Sequence, residues 1–232
     1  MLNFEIWQYT AVFDENTKEL IVNGKVYKPS VRTYSQMKNL YLNKDKNLSE
    51  NFGLYYMYRW VYGCNEDEKL FEKYNLRYDI TIIIPKIIWK EYNKTFWHYH
   101  PKNEIWRYYE EIYEVLYGKA IYLQQNNWAT IFTEAQEGDV VLMKEGFGHI
   151  TINPSTDQIL VMANIVSNKF KSVYDDFKSR KWGRYYLTID WWVKNTNYKD
   201  NIPLLQTNET KLNFSNLYQT FLQSPEKFYF LD

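Results

Sequence analysis

The sequence predicts an all-β protein, either a barrel or a sandwich of two sheets, with a few short helices at its periphery. Aromatic residues make up 19% of the 232 residues, including 23 Tyr and 9 Trp, and strands favour aromatic side chains. Between Asn93 and Ile165, short apolar segments are separated by Gly, Asn and Pro at close intervals. This spacing is typical of successive antiparallel strands.

The N-terminal part begins with strands. Residues 4–9 and 18–29 alternate apolar and polar side chains, and Asn23-Gly24 in the second segment predicts a hairpin turn. We expect a short helix capped near Ser35, a polar loop, and then an aromatic strand within residues 51–63. The acidic start of residues 65–75 indicates a helical turn or an excursion between strands.

The later elements follow the same reasoning. Residues 77–89 form the most apolar segment, and Pro85 within it predicts an edge strand or a bulge. After the strand-rich region we predict a helix at 172–183, a strand at 185–195 and a helix at 215–224. The last helix would place Leu217 and Phe221 on one face, at i and i+4. We divide the chain into a barrel with an N-terminal arm, residues 1–187, and an extension packed on it, residues 188–232.

Composition argues against several classes of function. Lys plus Arg and Asp plus Glu are both 28, so no excess positive charge favours a nucleic-acid partner. No apolar run is long enough to span a membrane. The single cysteine, Cys64, cannot form an intrachain disulfide, which fits a reducing compartment. Residues 1–16 lack the features of a signal peptide, and we expect a cytoplasmic protein.

Two of the three histidines in the chain, His98 and His100, stand two residues apart. On a strand, both side chains would point to one face and could share a metal ion. The alternative is a pair of ordinary polar residues. The downstream pattern decides between them, because Glu111 precedes Gly118 by seven residues and the third histidine, His149, follows two turn glycines.

These residues resemble the two cupin motifs. The first motif matches His98, His100, Glu111 and Gly118. The second matches Gly138, Gly146, His149 and Asn153, with Lys144 where the family has proline. All three histidines of the chain thus fall on ligand positions. The resemblance implies a cupin fold, a double-stranded β-helix or jelly-roll barrel, with one divalent metal ion held by His98, His100, Glu111 and His149.

Three imidazoles and one carboxylate suit Fe²⁺, Zn²⁺, Mn²⁺ or Ni²⁺, and of these we expect Fe²⁺. Glu110 or Glu114 could replace Glu111 as the carboxylate ligand. We prefer Glu111 because its distance to Gly118 fits the motif, whereas Glu114 shares its face of the strand with Ile112. Glu104 lies in a longer loop, where we expect it to be solvated.

A wider resemblance covers roughly residues 31–182. The segments SVRTYSQMKNLYL, LYYMYRW, YDITIIIP, KTFWHYHP, EEIYEVLYG and EGDVVLMKEGFGHITIN follow in this order and resemble the archaeal-type cupin glucose-6-phosphate isomerases. The resemblance implies isomerisation of glucose 6-phosphate and fructose 6-phosphate. The metal would polarise sugar oxygens, and Glu111 would move a proton between C1 and C2, with a hydride shift as the competing mechanism. It also implies a homodimer.

The same resemblance implies that five residues contact the sugar phosphate: Tyr55, Thr81, Thr95, Tyr113 and Tyr174. One departure bears on them, because Trp97 stands where the family has glycine. Its side chain would either reshape the phosphate pocket or be turned away by strand parity. Two other functions stay open. Trp97 keeps open a catalytically altered cupin that binds a sugar, sugar phosphate or nucleotide sugar without isomerase activity. A metal-dependent oxygenase would share the same four-ligand shell.

Overall fold

The computed structural model describes residues 1–174, 177 and 179–232. The helix predicted at 172–183 includes residues 175, 176 and 178, which lie outside the described residues. The described chain is built mainly of strands, with a few short helices at the periphery. The predicted all-β class is therefore confirmed.

The first nine strands are, in chain order, β1 Leu2–Ile6, β2 Tyr9–Phe13, β3 Leu20–Val22, β4 Lys25–Tyr27, β5 Ser30–Thr33, β6 Gly53–Tyr58, β7 Leu76–Ile83, β8 Ile87–Ile88 and β9 Glu91–Tyr92. The remaining strands are β10 Glu111–Tyr117, β11 Lys119–Gln125, β12 Thr130–Gln136, β13 Val140–Met143, β14 Gly148–Ile152, β15 Leu160–Ser167, β16 Tyr185–Leu187, β17 Trp192–Lys194, β18 Leu204–Gln206 and β19 Lys211–Leu212. The helices are α1 Tyr34–Met37, α2 Asn65–Lys73 and α3 Leu217–Gln223, followed by a 3₁₀ helix at Pro225–Leu231.

Two sheets make up the barrel. The larger has seven strands in the order β19-β13-β10-β15-β7-β6-β5, and the smaller has four in the order β14-β11-β12-β18. Apolar side chains from the two sheets pack in one buried cluster that includes Val115, Tyr122, Ile150 and Met162. The C-terminal residues add an edge strand to each sheet, β19 beside β13 and β18 beside β12.

A second apolar cluster covers the other face of the seven-stranded sheet. The N-terminal sheet, in the order β1-β2-β3-β4, contributes Phe4 and Phe13 to it, and α3 contributes Leu217 and Phe221. As a result every residue of β15 is buried. A strand covered on both faces reads as a continuous apolar run instead of an alternating one.

The short helix expected near Ser35 is α1, which begins at Tyr34 and is capped by Thr33, with Oε1 of Gln36 accepting the Thr33 N–H at 3.0 Å. Two other expectations about local structure were wrong. The strand predicted at 185–195 is a hairpin of two short antiparallel strands, β16 and β17. Pro85 does not mark an edge or a bulge, because β7 ends at Ile83 and lies inside the sheet between β15 and β6. Proline thus follows the strand, where the loss of an N–H donor costs no ladder hydrogen bond.

The C-terminal helix α3 is confirmed and is tied to the barrel by a buried carboxylate. Asn216 caps the helix, accepting the Gln219 N–H at 2.8 Å. Glu114, which is 3% exposed, accepts the Leu217 N–H at 3.0 Å. Burial raises the pKa of Glu114 to about 7 from its ordinary 4.5, although the bond from Leu217 opposes this shift. Within the described chain, no helix has the length and apolar character needed to cross a bilayer.

The raised pKa of Glu114 predicts a pH-dependent stability. The folded state holds this proton more tightly than the unfolded chain, so the free energy of unfolding should fall as pH rises from about 4.5 to about 7. This shift in the pKa of Glu114 corresponds to a change of about 3 kcal/mol in the free energy of unfolding. Glu114→Gln keeps an acceptor for the Leu217 N–H but carries no charge. Its free energy of unfolding should therefore match that of the wild type near pH 4.5 and exceed it at pH 8. Urea unfolding at both pH values measures this, and equal differences at the two pH values would contradict it.

Candidate metal centre and substrate cavity

The four predicted ligands come from both sheets of the barrel. Glu111 is the first residue of β10 in the seven-stranded sheet, and His149 lies in β14 of the smaller sheet. The segment that carries His98 and His100 runs along β14, where the His149 N–H donates to the His98 carbonyl at 3.0 Å. This segment forms isolated bridges instead of a regular strand.

The side chains of these residues converge. The distances from Nε2 to Oε2 of Glu111 are 3.1 Å for His149, 3.4 Å for His100 and 4.0 Å for His98. One ligand atom from each of the four residues lies within 4.8 Å of the others. His100, Glu111 and His149 are buried, and His98 is half-buried. The four residues could therefore hold a metal ion.

Hydrogen bonds behind the ligands orient them. Nδ1 of His98 is 3.0 Å from the Phe96 carbonyl, and Nδ1 of His100 is 3.1 Å from the Tyr109 carbonyl. A ring whose Nδ1–H donates to a carbonyl presents the lone pair of Nε2 to the centre. Nδ2 of Asn164 donates to Oε1 of Glu111 at 2.6 Å, which leaves Oε2 facing the imidazoles.

The protonation states suit metal binding. Burial, and then the neighbouring imidazoles, keep the pKa of His98 well below its usual range, and burial likewise lowers the pKa of His149. Burial alone would raise the pKa of Glu111, but hydrogen bonds with His100 and His149 reverse the effect and hold it well below the ordinary value. Neutral imidazoles and an ionised carboxylate are the forms that bind a divalent cation.

The other glutamates considered as ligands lie elsewhere. Glu114 points to the opposite face of β10 and meets α3. Glu110 accepts the backbone N–H of Glu145 at 3.3 Å, and Glu104 is exposed in the loop before Glu110. Within the described chain, the group that could hold a metal includes Glu111 and none of these three.

A cavity beside the centre brings together all the predicted substrate contacts. It is lined by His98, His100 and Glu111 of the metal group and by the hydroxyl side chains of Tyr55, Thr81, Thr95, Tyr113 and Tyr174. The roles of these hydroxyls in binding remain predictions.

Two of the hydroxyls are set up as donors. The Tyr55 oxygen accepts the Phe96 N–H at 3.2 Å, and the Thr95 oxygen accepts the Thr151 N–H at 3.0 Å. A hydroxyl that accepts from the backbone can still donate its own proton. These two groups can therefore present donors to an anionic ligand.

Sequence reasoning missed three arginines, Arg32, Arg59 and Arg77, which also line the cavity. Nε of Arg32 is buried with no hydrogen-bond partner in the described chain, and the guanidinium carbon lies 5.4 Å from the centre of the Phe96 ring. One signal could have revealed Arg77, since it shares strand parity with Thr81. Arg32 and Phe96 also line a wider neighbouring cleft of about 890 Å³.

Trp97 does not enter the cavity. Its side chain is fully buried on the other side of the His98 segment, stacked on Phe177 with ring centres 4.6 Å apart. A Cβ atom at Gly183 would lie 2.5 Å from the indole, so this glycine provides the space for the ring. The sequence left two positions open for this side chain, inside the phosphate pocket or turned away from it. The second is found, because Trp97 alternates with His98 along the segment and its ring therefore points away from the cavity.

The family model described as Glucose-6-phosphate isomerase (GPI) matches residues 31–203. A comparison with curated proteins finds no match. Among solved structures, a W96F variant of Bacillus subtilis oxalate decarboxylase has 13% identity and a TM-score of 0.39, over 54% of this chain and 29% of that one. Vicilin from Corylus avellana (hazelnut) has 12% identity and a TM-score of 0.41, over 64% and 34%. The chain therefore spans about a third or less of the length of these proteins.

Proposed function

Because this chain belongs to the glucose-6-phosphate isomerase family, we propose that it interconverts an aldose phosphate and a ketose phosphate, with glucose 6-phosphate and fructose 6-phosphate as substrates. The observation that carries the proposal is the position of the His98, His100, Glu111 and His149 group beside a cavity lined by hydroxyl and guanidinium groups. Such a lining can bind a polyhydroxylated anion.

The three imidazoles and Glu111 would hold one divalent cation, with Fe²⁺ as our first choice and Zn²⁺, Mn²⁺ and Ni²⁺ as alternatives. When bound, the cation supplies Lewis acidity at the sugar oxygens. Asn164 holds Oε1 of Glu111, and the Phe96 and Tyr109 carbonyls hold the rings of His98 and His100. The chain thus orients these three ligands before the sugar arrives.

The phosphate end of the sugar would bind near Phe96. Three donors converge there: the Tyr55 hydroxyl, the Thr95 hydroxyl and Nε–H of Arg32, the last of which has no partner in the described chain. A buried donor without a partner carries a desolvation cost that a phosphate oxygen would relieve. Arg32 also adds positive charge to this part of the cavity.

Glu111 would act as the base, since it is the one carboxylate among the described residues that line the cavity. It would accept the proton from C2 of the aldose. The C–H electron pair would then form the C1–C2 double bond while the carbonyl pair moves to O1, giving an enediolate. Return of the proton to C1, with transfer of the O2 proton to O1, completes the ketose. No other reactant is needed, because substrate and product are isomers.

A coupled assay for glucose 6-phosphate tests the function. We expect turnover of fructose 6-phosphate, loss of activity with a chelator, recovery with an added divalent metal, and no turnover of unphosphorylated fructose. In deuterated water, proton transfer through Glu111 should incorporate deuterium at C2 of the product, whereas a hydride shift should not. Absence of turnover with each of the four metals would contradict the isomerase.

An increase in melting temperature with sugar phosphate, without formation of product, would support the alternative of a catalytically altered cupin that binds its ligand without isomerase activity. Its main support in the sequence was Trp97, whose side chain lies outside the cavity. The homodimer, the cytoplasmic location and the division at residue 187 remain predictions.

A further inference from the structure

Arg59 and Arg77 form a side-by-side group, here called the arginine pair. Nη1 of Arg59 lies 2.5 Å and Nε of Arg77 2.7 Å from the same oxygen, Oδ2 of Asp79. The Asp79 side chain is completely buried, and its other oxygen accepts the Trp60 N–H at 3.1 Å. One carboxylate balances only one of the two guanidinium charges, so the pair keeps a net positive charge.

The pair lies at the metal end of the cavity. Glu111, Val166 and Arg77 are in register on the neighbouring strands β10, β15 and β7. With strands spaced about 4.8 Å apart, the Cα atoms of Arg77 and Glu111 are roughly 10 Å apart. Both side chains of the pair line the same cavity as Glu111.

Arg32 lies at the other end. It is in register with Tyr55 and Ile83, six residues along β7 from Arg77. At about 3.3 Å per residue, that separates the two backbone levels by roughly 20 Å, and the long side chains shorten the gap between the charges. The cavity therefore has a cationic group at each end, although the proposed substrate carries its phosphate at only one.

The backbone beside Arg59 is strained. Trp60, which follows it, has a φ of 57°, a left-handed conformation rare for a bulky residue. The hydrogen bond from its N–H to Asp79 holds this turn. Backbone strain that the surroundings maintain is often found at functional sites.

We propose that the arginine pair is an anion subsite at the reacting end of the substrate, where it binds the negative charge that develops on O1 and O2 of the enediolate. The inference rests on the proposed isomerase function. Donors fixed in advance, where charge develops, stabilise a transition state more than the neutral substrate. Asp79 acts as a positioning residue that fixes the two guanidinium groups before the charge appears.

Binding calorimetry on the metal-loaded protein tests the subsite without turnover. The two probes are a hexonate 6-phosphate, which carries a carboxylate at C1, and a hexitol 6-phosphate, which is neutral there. Both probes carry the same phosphate, so the ratio of their dissociation constants measures the effect of the negative charge at C1 on binding. In Arg59→Gln and in Arg77→Gln we expect the preference for the hexonate to fall about 10- to 100-fold, with hexitol phosphate binding nearly unchanged.

Each single variant leaves one guanidinium on Asp79, so the buried carboxylate stays paired and the fold should persist. Lys90→Gln is the matched control, because it removes one positive charge from an exposed side chain that pairs with Asp190. Its ratio should equal that of the wild type. An unchanged ratio in both arginine variants, or an equal loss of both ligands, would overturn the subsite while leaving the isomerase in place. Failure of the wild type to bind either probe would remove both proposals.

Discussion

Replacement of His149 by alanine is expected to lower the affinity for the divalent metal by more than ~100-fold and to abolish isomerase activity. Loss of an outer-shell partner typically costs about 10- to 100-fold in metal affinity, and His149 would be a direct ligand. It also makes the shortest contact with Glu111 among the three imidazoles, at 3.1 Å. Metal content after dialysis and kcat in the coupled assay measure the two effects.

Asn164→Ala provides a graded comparison for His149→Ala. Asn164 contacts Oε1 of Glu111 and no imidazole nitrogen, so we expect the smaller loss of about 10- to 100-fold that is typical of an outer-shell residue. Melting of both variants in chelator separates metal loss from misfolding. Wild-type metal content in His149→Ala would contradict the ligand set.

Trp97→Ala should destabilise the protein by about 3–5 kcal/mol, the usual cost of truncating a buried large aromatic side chain. The indole is completely buried, stacks on Phe177 and crosses Trp182 with ring centres 6.3 Å apart. Its removal would leave a cavity between the His98 segment and Gly183. Urea unfolding monitored by circular dichroism measures the change.

Trp97→Phe is the control that distinguishes packing from catalysis. A phenyl ring retains part of the stack on Phe177, so the loss of stability should be smaller than in Trp97→Ala. Since the side chain does not line the cavity, kcat and KM for fructose 6-phosphate should stay near the wild-type values. A well-folded Trp97→Phe protein whose KM rises more than about tenfold would show that the ring does shape the substrate site.

The metal group was predictable because its signal is local. His98 and His100 share a face by strand parity, and Glu111 and His149 stand at fixed distances from turn glycines. The all-β class followed from the same short-range pattern. The position of Trp97 follows from that parity as well, whereas the family comparison by itself raised the prospect of a blocked pocket.

The arginine pair could not be predicted, because it depends on strand register. Arg59 directly follows β6 and Arg77 is the second residue of β7, and only the pairing of these two strands brings both arginines to Asp79. A shift of one residue would turn Arg77 to the opposite face. The same holds for the burial of Glu114, which depends on a helix that lies 103 residues later in the chain.

Because the ligands come from two sheets, metal binding would affect how much folded protein a cell contains. Glu111 belongs to one sheet, whereas the three histidines lie on or beside the other. An ion held by all four residues would therefore cross-link the two sheets at the mouth of the barrel. A ligand at 100 times its dissociation constant stabilises the folded state by about 2.7 kcal/mol. When the metal is scarce, this cross-link is lost, and a larger fraction of the chains is unfolded and susceptible to proteolysis. The amount of enzyme, and not only its turnover, would then follow the availability of the metal.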